Sequence, residues 1–281
     1  MKLASYLSYG AETFGAVIGD GVVTLGGRAK GGYRTLREAL AAGALEDLQK
    51  ILKNATPDRR LEELQFLPVI SQPSKILCAG INFRSHAVET GRDIPARPGM
   101  FIRFADTLVS HEGFMLRPRA STQFDFEGEL AVVIGRTARS VKPERALNYV
   151  AGYTCFIDGS VRDYQKFSVA AGKNFPATAP LGPWMVTADE IPDPGRLVLT
   201  TRLNGAEVQR AGLDQMIHSV AHIVSFCSEF TPLYPGDIIA TGTPEGVGAR
   251  RNPPLWMQPG DVLEVEISEI GTLRVRIADE N

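Results

Sequence analysis

The chain has 281 residues, 44% of them hydrophobic, enough for a large core and for one main domain with a small companion. Lys and Arg number 30 against 32 Asp and Glu, a balance that gives no support for a nucleic-acid or membrane partner. No run of about eighteen apolar residues could span a bilayer, and the N-terminus meets Gly10 and Glu12 too soon for a signal-peptide core.

Residues 1 to about 70 read as a small N-terminal α+β domain. Short strands are expected around Leu3–Tyr9 and Gly15–Ile18. A helix starts at Thr35, with Glu38 completing a capping box and Gly43 at its end. A second helix covers Leu45–Leu52, and a polar stretch then leads to Pro68 and Pro73, where the boundary is placed. Residues 71–281 form the strand-rich main domain. Asn204-Gly205 signals a hairpin with a type I′ turn. A helix is expected from Asp214, as N-cap, to Phe230, burying Ile217, Val220, Ile223, Val224 and Cys227. Pro-Gly-Asp launches a strand at Pro235 and again at Pro259. Many strands, few helices and no β-α-β alternation argue for α+β with a dominant antiparallel or mixed sheet. Cys78, Cys155 and Cys227 are odd in number and far apart, which points to buried thiols in a reducing cytoplasm.

Glu127 and Glu129 lie in Phe126-Glu127-Gly128-Glu129-Leu130-Ala131-Val132-Val133-Ile134, otherwise a buried strand. Alternation puts both carboxylates on the face of Ala131 and Val133, while Phe126, Leu130, Val132 and Ile134 take the other. Two like charges among apolar residues need a partner or a metal, or they protonate. Glu264 and Glu266 have the same spacing but alternate cleanly with Leu263, Val265 and Ile267, as on a strand with one wet face, and Arg274 and Arg276 match them on the next strand. A third acid, Asp158, ends the apolar run Tyr149–Ile157. Alone it would cap a following turn that aligns it with Arg162 and Gln165; with the two glutamates it completes a three-carboxylate site suited to Mg²⁺ or Mn²⁺. Such a site keeps one net negative charge, so an anionic ligand would need cations, with Arg103, Arg117, Arg119, Arg162 and Lys173 as candidates.

His86 and Glu89 share a face of a short helix that Ser85 could cap and Gly91 could end, in the relation of a base and its orienting partner. Nearby glycines, Pro95 and Pro98 suit a lid. Thr241-Gly242-Thr243-Pro244-Glu245-Gly246-Val247-Gly248 follows a strand and could bring backbone N–H groups to an anion. It lacks the lysine of a phosphate-binding loop and the strand–helix setting of a dinucleotide fold. His218 and His222 fall on a polar stripe and read as surface residues rather than zinc ligands.

Taken in order, Gly80-Ile81-Asn82-Phe83 with His86 and Glu89, Phe126 to Gly135, Asp158 with Arg162-Asp163-Tyr164-Gln165, Gly172-Lys173, Leu181-Gly182-Pro183-Trp184 and Thr241 to Gly248 resemble the fumarylacetoacetate hydrolase family. The resemblance runs from about Lys75 to Ile277. It implies a mixed β-sandwich roll, usually a homodimer, with Glu127, Glu129 and Asp158 on Mg²⁺ or Mn²⁺. His86 and Glu89 would be a water-activating dyad on a lid, and Gln165, Lys173 and Thr243 would contact substrate. Ile157 stands where the family often has Asn, and Arg103 where it often has Lys. Arg103-Phe104-Ala105 with Arg117-Pro118-Arg119 resembles a subgroup acting on acylpyruvates with a second carboxylate. The implied activity is hydrolysis of an acylpyruvate, such as maleylpyruvate or fumarylpyruvate, to pyruvate and a carboxylic acid in aromatic-compound catabolism. Oxaloacetate decarboxylation, keto–enol isomerisation and non-catalytic keto-acid binding are alternatives on the same scaffold.

Overall fold

The computed structural model describes residues 1–281. Its backbone is a strand-rich α+β sandwich of a 12-stranded mixed sheet, a five-stranded sheet and a two-stranded ribbon. Gly128–Ile134 runs near the centre of the large sheet, antiparallel to Val150–Ile157 on one side and to Ile238–Ala240 on the other. Ile238–Ala240 pairs in parallel with Ile76–Gly80, and Gly99–Arg103 forms that edge.

All seven residues of Gly128–Ile134 are buried, because both faces are covered. Leu130, Val132 and Ile134 enter the larger core cluster with Leu199, Leu263 and Val265 of the small sheet. Ala131 and Val133 enter a second cluster with Leu3, Phe14, Leu36 and Leu48. The N-terminal residues, expected as an appended domain, thus contribute to the packing behind the site, and their first strand is hydrogen-bonded into the large sheet (Leu3 opposite Met185). Thr35 and Glu38 form the expected capping box, and Gly43 turns the chain at φ 66°.

The Asn204-Gly205 hairpin joins Val198–Leu203 to Ala206–Gly212, with φ 53° and 80° at the two turn residues, the left-handed pair a type I′ turn needs. Glu264 lies opposite Arg274 as expected, but Glu266 lies opposite Thr272 and pairs instead with Arg202 at 2.6 Å. The helix expected from Asp214 begins later. Asp214 belongs to a 3₁₀ turn, and the α-helix spans Val220–Phe230 with Ser219 as N-cap. The cause is tertiary: Asn82 takes up the intervening segment, its O accepting from Ile217 N at 2.7 Å and its Oδ1 from His218 N at 2.8 Å. No helix is long and apolar enough to cross a membrane.

Candidate active site

Strand register builds the acid cluster. Gly128 lies opposite Ile157, so Glu127 and Asp158 are cross-strand neighbours, joined by Asp158 N–H donating to Glu127 O at 2.8 Å. Glu129 follows on the same face. Ligand oxygens of the three buried acids lie within 4.8 Å of one another. Gly128 between the glutamates faces the small sheet, where a Cβ would stand 2.1 Å from Thr201 Oγ1 and 3.0 Å from Val265 Cγ2.

Three cations stand among these acids. Lys173, at the end of the short Val169–Lys173 helix, donates to Glu127 Oε2 at 2.7 Å and Asp158 Oδ2 at 2.6 Å. Arg162 Nη2 lies 2.7 Å from Glu127 Oε1, and its Nη1 donates to Gln165 at 3.1 Å. Arg103 is buried behind the acids, donating to Asp158 Oδ1, Gly159 O and Thr178 Oγ1. Burial would raise the Glu127 carboxyl, but Lys173 and Arg162 hold it down at about 2. Burial and then the charges of Asp158 and Glu127 push Glu129 well above the usual carboxylate range. Burial would lower the Lys173 ammonium, yet Asp158 and Glu127 raise it on balance. Glu129 is therefore the acid least compensated by protein cations. A hard divalent ion among three carboxylates would supply that charge, and the all-oxygen donor set fits Mg²⁺, Mn²⁺ or Ca²⁺ rather than a soft metal.

A cleft of about 900 Å³ opens onto this cluster, with Glu127, Glu129, Lys173, His86, Gln165 and Thr243 in its wall. Arg162 also reaches the wall; Asp158 and Glu89 stand behind it, and Arg103 does not line the cleft. Arg117 and Arg119 are remote, bound to Asp279 and Glu280 near the C-terminus. Asp158 caps no turn; a short strand, Ser160–Val161, follows it.

His86 Nδ1 lies 2.8 Å from Glu89 Oε2, on the Arg84–Thr90 helix. A carboxylate only accepts, so this contact places the proton on Nδ1 and leaves Nε2 free as a base. Phe83, not Ser85, is the N-cap of that helix, and Gly91 ends it at φ 67°. Asn82 anchors its root, donating to Thr241 O at 2.8 Å and His218 O at 3.0 Å. His218 is half-buried against Pro95 O, and His222 is exposed.

The glycine loop after Ile238–Ala240 does bring its amides to anions, and the anions are the protein's own. Gly242 N–H donates to Glu129 Oε2 at 2.8 Å, Gly246 N–H to Glu89 Oε1 at 2.8 Å and Gly248 N–H to Asp125 Oδ1 at 2.7 Å. Gly242 and Gly246 take φ of 94° and 102°, open only to glycine. Thr243 donates to Gly128 O at 2.9 Å and accepts from Gln209 Nε2 at 2.8 Å. Asp125 and Gln209 complete this network without standing in any of the motifs above. Asp125 shares the parity of Glu127 and Glu129, a signal visible two positions upstream. Gln209, whose Oε1 accepts from Gly128 N–H at 2.9 Å, carries no pattern that would reveal it.

The model of the fumarylacetoacetate (FAA) hydrolase C-terminal family matches residues 75–278. The mitochondrial oxaloacetate tautomerase FAHD2A of Bos taurus is 36% identical over 261 residues, covering 91% of this chain and 83% of that one; its Homo sapiens counterpart is 35% identical over the same coverage. Among solved structures, the fumarylacetoacetate hydrolase of Exiguobacterium antarcticum superposes with TM-score 0.84 at 30% identity, covering both chains fully. Maleylpyruvate hydrolase from Sphingobium sp. SYK-6, in complex with manganese(II) and pyruvate, superposes with TM-score 0.85 at 25% identity, again covering both chains fully. The mitochondrial relatives overturn the cytoplasmic assignment. Cys78, Cys155 and Cys227 are free and buried, but reduced thiols mark a reducing environment and not a particular compartment. By the extent of the family match and of the identity to its relatives, this chain belongs to the fumarylacetoacetate hydrolase family.

Proposed function

We propose that the protein is a divalent-metal-dependent enzyme that interconverts the keto and enol forms of oxaloacetate, with Mg²⁺ or Mn²⁺ as the metal and a homodimer as the working assembly. Kinship with the oxaloacetate tautomerases along nearly the whole chain carries this reading over hydrolysis. The reaction moves one proton between C3 and the 2-oxo oxygen. It needs stabilisation of developing negative charge and a group that handles the proton, and candidates for both stand in the cleft wall.

A cation held by Glu127, Glu129 and Asp158 would act as a Lewis acid on the 2-oxo acid end, a contribution of several kcal/mol. The chain's own groups do the rest. Lys173 and Arg162 place positive charge beside the acids and draw an anionic substrate to them. His86 Nε2 takes the C3 proton while Glu89, fixed by Gly246 N–H, holds the ring and stabilises its charged form. Lys173, its donors held by Glu127 and Asp158, keeps a positive charge near the developing oxyanion, and the proton taken on His86 Nε2 is delivered to that oxygen, so the site ends in its starting protonation state. Gln165 and Thr243 border the same space.

A specific observation favours a second reading. The same dyad could draw a proton from water instead of carbon, and the likeness to maleylpyruvate hydrolase supports acylpyruvate cleavage by that route. One experiment separates the two: enol oxaloacetate is followed by its ultraviolet absorbance with Mn²⁺ or with EDTA, maleylpyruvate is run in parallel, and products are identified. Metal-dependent loss of the enol with all the oxaloacetate retained supports tautomerisation. An unaccelerated enol decay alongside pyruvate release from maleylpyruvate would replace it with hydrolysis.

A further inference from the structure

Asp125 lies outside the cleft wall and takes no part in the chemistry above, yet it is a carboxylate with 0% exposure and four donors on it. Oδ1 accepts from Phe126 N–H at 2.8 Å and Gly248 N–H at 2.7 Å; Oδ2 accepts from Ala249 N–H at 3.0 Å and Arg162 Nε at 2.7 Å. Arg162 in turn sets Nη2 2.7 Å from Glu127 Oε1. A continuous path therefore joins the Gly248–Arg250 turn, which presents Ala249 and Arg250 to the cleft, to one acid of the metal cluster.

The guanidinium is planar, with donors in fixed directions. With Nε tied to Asp125, the plane of the fork determines where Nη2 falls, and it comes within ion-pair distance of Glu127 Oε1 without the alignment of a hydrogen bond. Three backbone amides, two of them from the Gly248–Arg250 turn, tie Asp125 itself in place, so the position of the Arg162 charge beside Glu127 Oε1 is set by those contacts, while Lys173 holds Oε2. A lysine at 162 would carry the charge but could not span both acids with fixed geometry.

We propose that Asp125 is a positioning residue that sets the protein's divalent-metal affinity by holding Arg162 against Glu127. The inference rests on the metal reading of Glu127, Glu129 and Asp158 and not on which reaction follows. Outer partners that orient a metal ligand typically govern roughly 10–100-fold in affinity.

The test is calorimetric titration of the full-length protein with Mn²⁺. Asp125→Asn keeps the size of the side chain and one acceptor; its Mn²⁺ Kd should rise roughly 10–100-fold, while saturating Mn²⁺ restores kcat. A variant that melts at lower temperature but binds Mn²⁺ within about twofold of the wild type would show a structural role only and overturn the proposal. Arg162→Lys is the second variant, informative even if Asp125→Asn does not fold. It keeps the charge and loses the fork, and should weaken Mn²⁺ by a similar factor; unchanged affinity overturns the proposal. Combining the two substitutions should cost no more than the larger single loss, since both cut one path, and fully additive losses would contradict it. Because binding is read without turnover, a wild type that binds Mn²⁺ but leaves enol oxaloacetate unchanged defeats the tautomerase reading and leaves this one standing.

Discussion

Glu264 and Glu266 stand on the wet face of Val262–Ile267, with side chains 27% and 45% exposed, and each meets one arginine. Glu127 and Glu129 have the same spacing, yet they are buried beside Asp158, where Glu127 meets Lys173 and Arg162 and Glu129 meets only the Gly242 amide. The two triplets pack against each other through their middle residues, Gly128 and Val265. Their glutamates point away from that contact, one pair into the cleft and the other toward solvent. What separates a metal-cluster candidate from an ordinary sheet edge is the second apolar layer. Ala131 and Val133 are covered by the cluster containing Leu3, Phe14 and Leu36, and no such layer covers the outer face of the small sheet.

The largest test of this contrast is Glu129→Gln, which removes the least compensated charge. Turnover should fall by roughly 10³-fold or more, as expected when a several-kcal/mol metal contribution is lost, and calorimetry should no longer detect Mn²⁺. Retained activity in EDTA would break the comparison outright. His86→Ala should lower kcat by about 10²–10⁴-fold and leave Mn²⁺ affinity near wild type; a collapse of metal binding instead would move His86 into the metal cluster. Gly128→Ala drives a Cβ into Thr201 and Val265 and should destabilise by about 1–3 kcal/mol, read as a lower midpoint in urea. No change would mean the two triplets are not in tight contact.

Acidity gives a graded test. Glu127, held at about 2 in the fold, contributes stability that is present above its unfolded value and is lost as pH falls toward about 2. Glu129 has the opposite sign. Its raised folded value means the folded state binds the extra proton, so metal-free stability declines as pH climbs through the interval between the unfolded and folded values. Mn²⁺ favours the ionised acid, so its stabilising shift in melting temperature should grow with pH over that interval and be accompanied by proton release. A pH-independent shift would place the ion elsewhere. The smallest effect belongs to Glu264→Gln, which breaks an exposed pair of 3.6 Å and should change stability by less than about 1 kcal/mol, with activity unaltered. A large loss there would erase the distinction between the two triplets.

The acid cluster was legible because its signal is local: period-two parity, apolar flanks and one more acid at the end of a neighbouring strand. The hairpin at Asn204-Gly205 and the capping box at Thr35 were legible for the same reason. What parity could not supply was pairing between remote segments. Arg103, expected at the substrate, is spent on Asp158, Gly159 and Thr178, and only the fold brings those residues to it. Asp214 is a sound cap by composition, but Asn82 holds Ile217 and His218 outside a helix, and Ser219 becomes the helix start. The glycine loop has the composition of an anion cradle, and nothing local reveals that Glu129, Glu89 and Asp125 fill it.

The grip of Asn82 on Thr241 O, His218 O and His218 N reaches beyond the start of one helix. It pins the stem of the Arg84–Thr90 segment to the core, so any swing of His86 and Glu89 must hinge beyond residue 82. Such a swing would strain the Glu245 N–H to Ser85 Oγ and the Gly246 N–H to Glu89, both on the loop whose Gly242 holds Glu129. Movement of the His86–Glu89 helix and of the Gly242 amide on buried Glu129 would thereby be coupled through one loop, with the Asn82 side chain as the fixed point behind both.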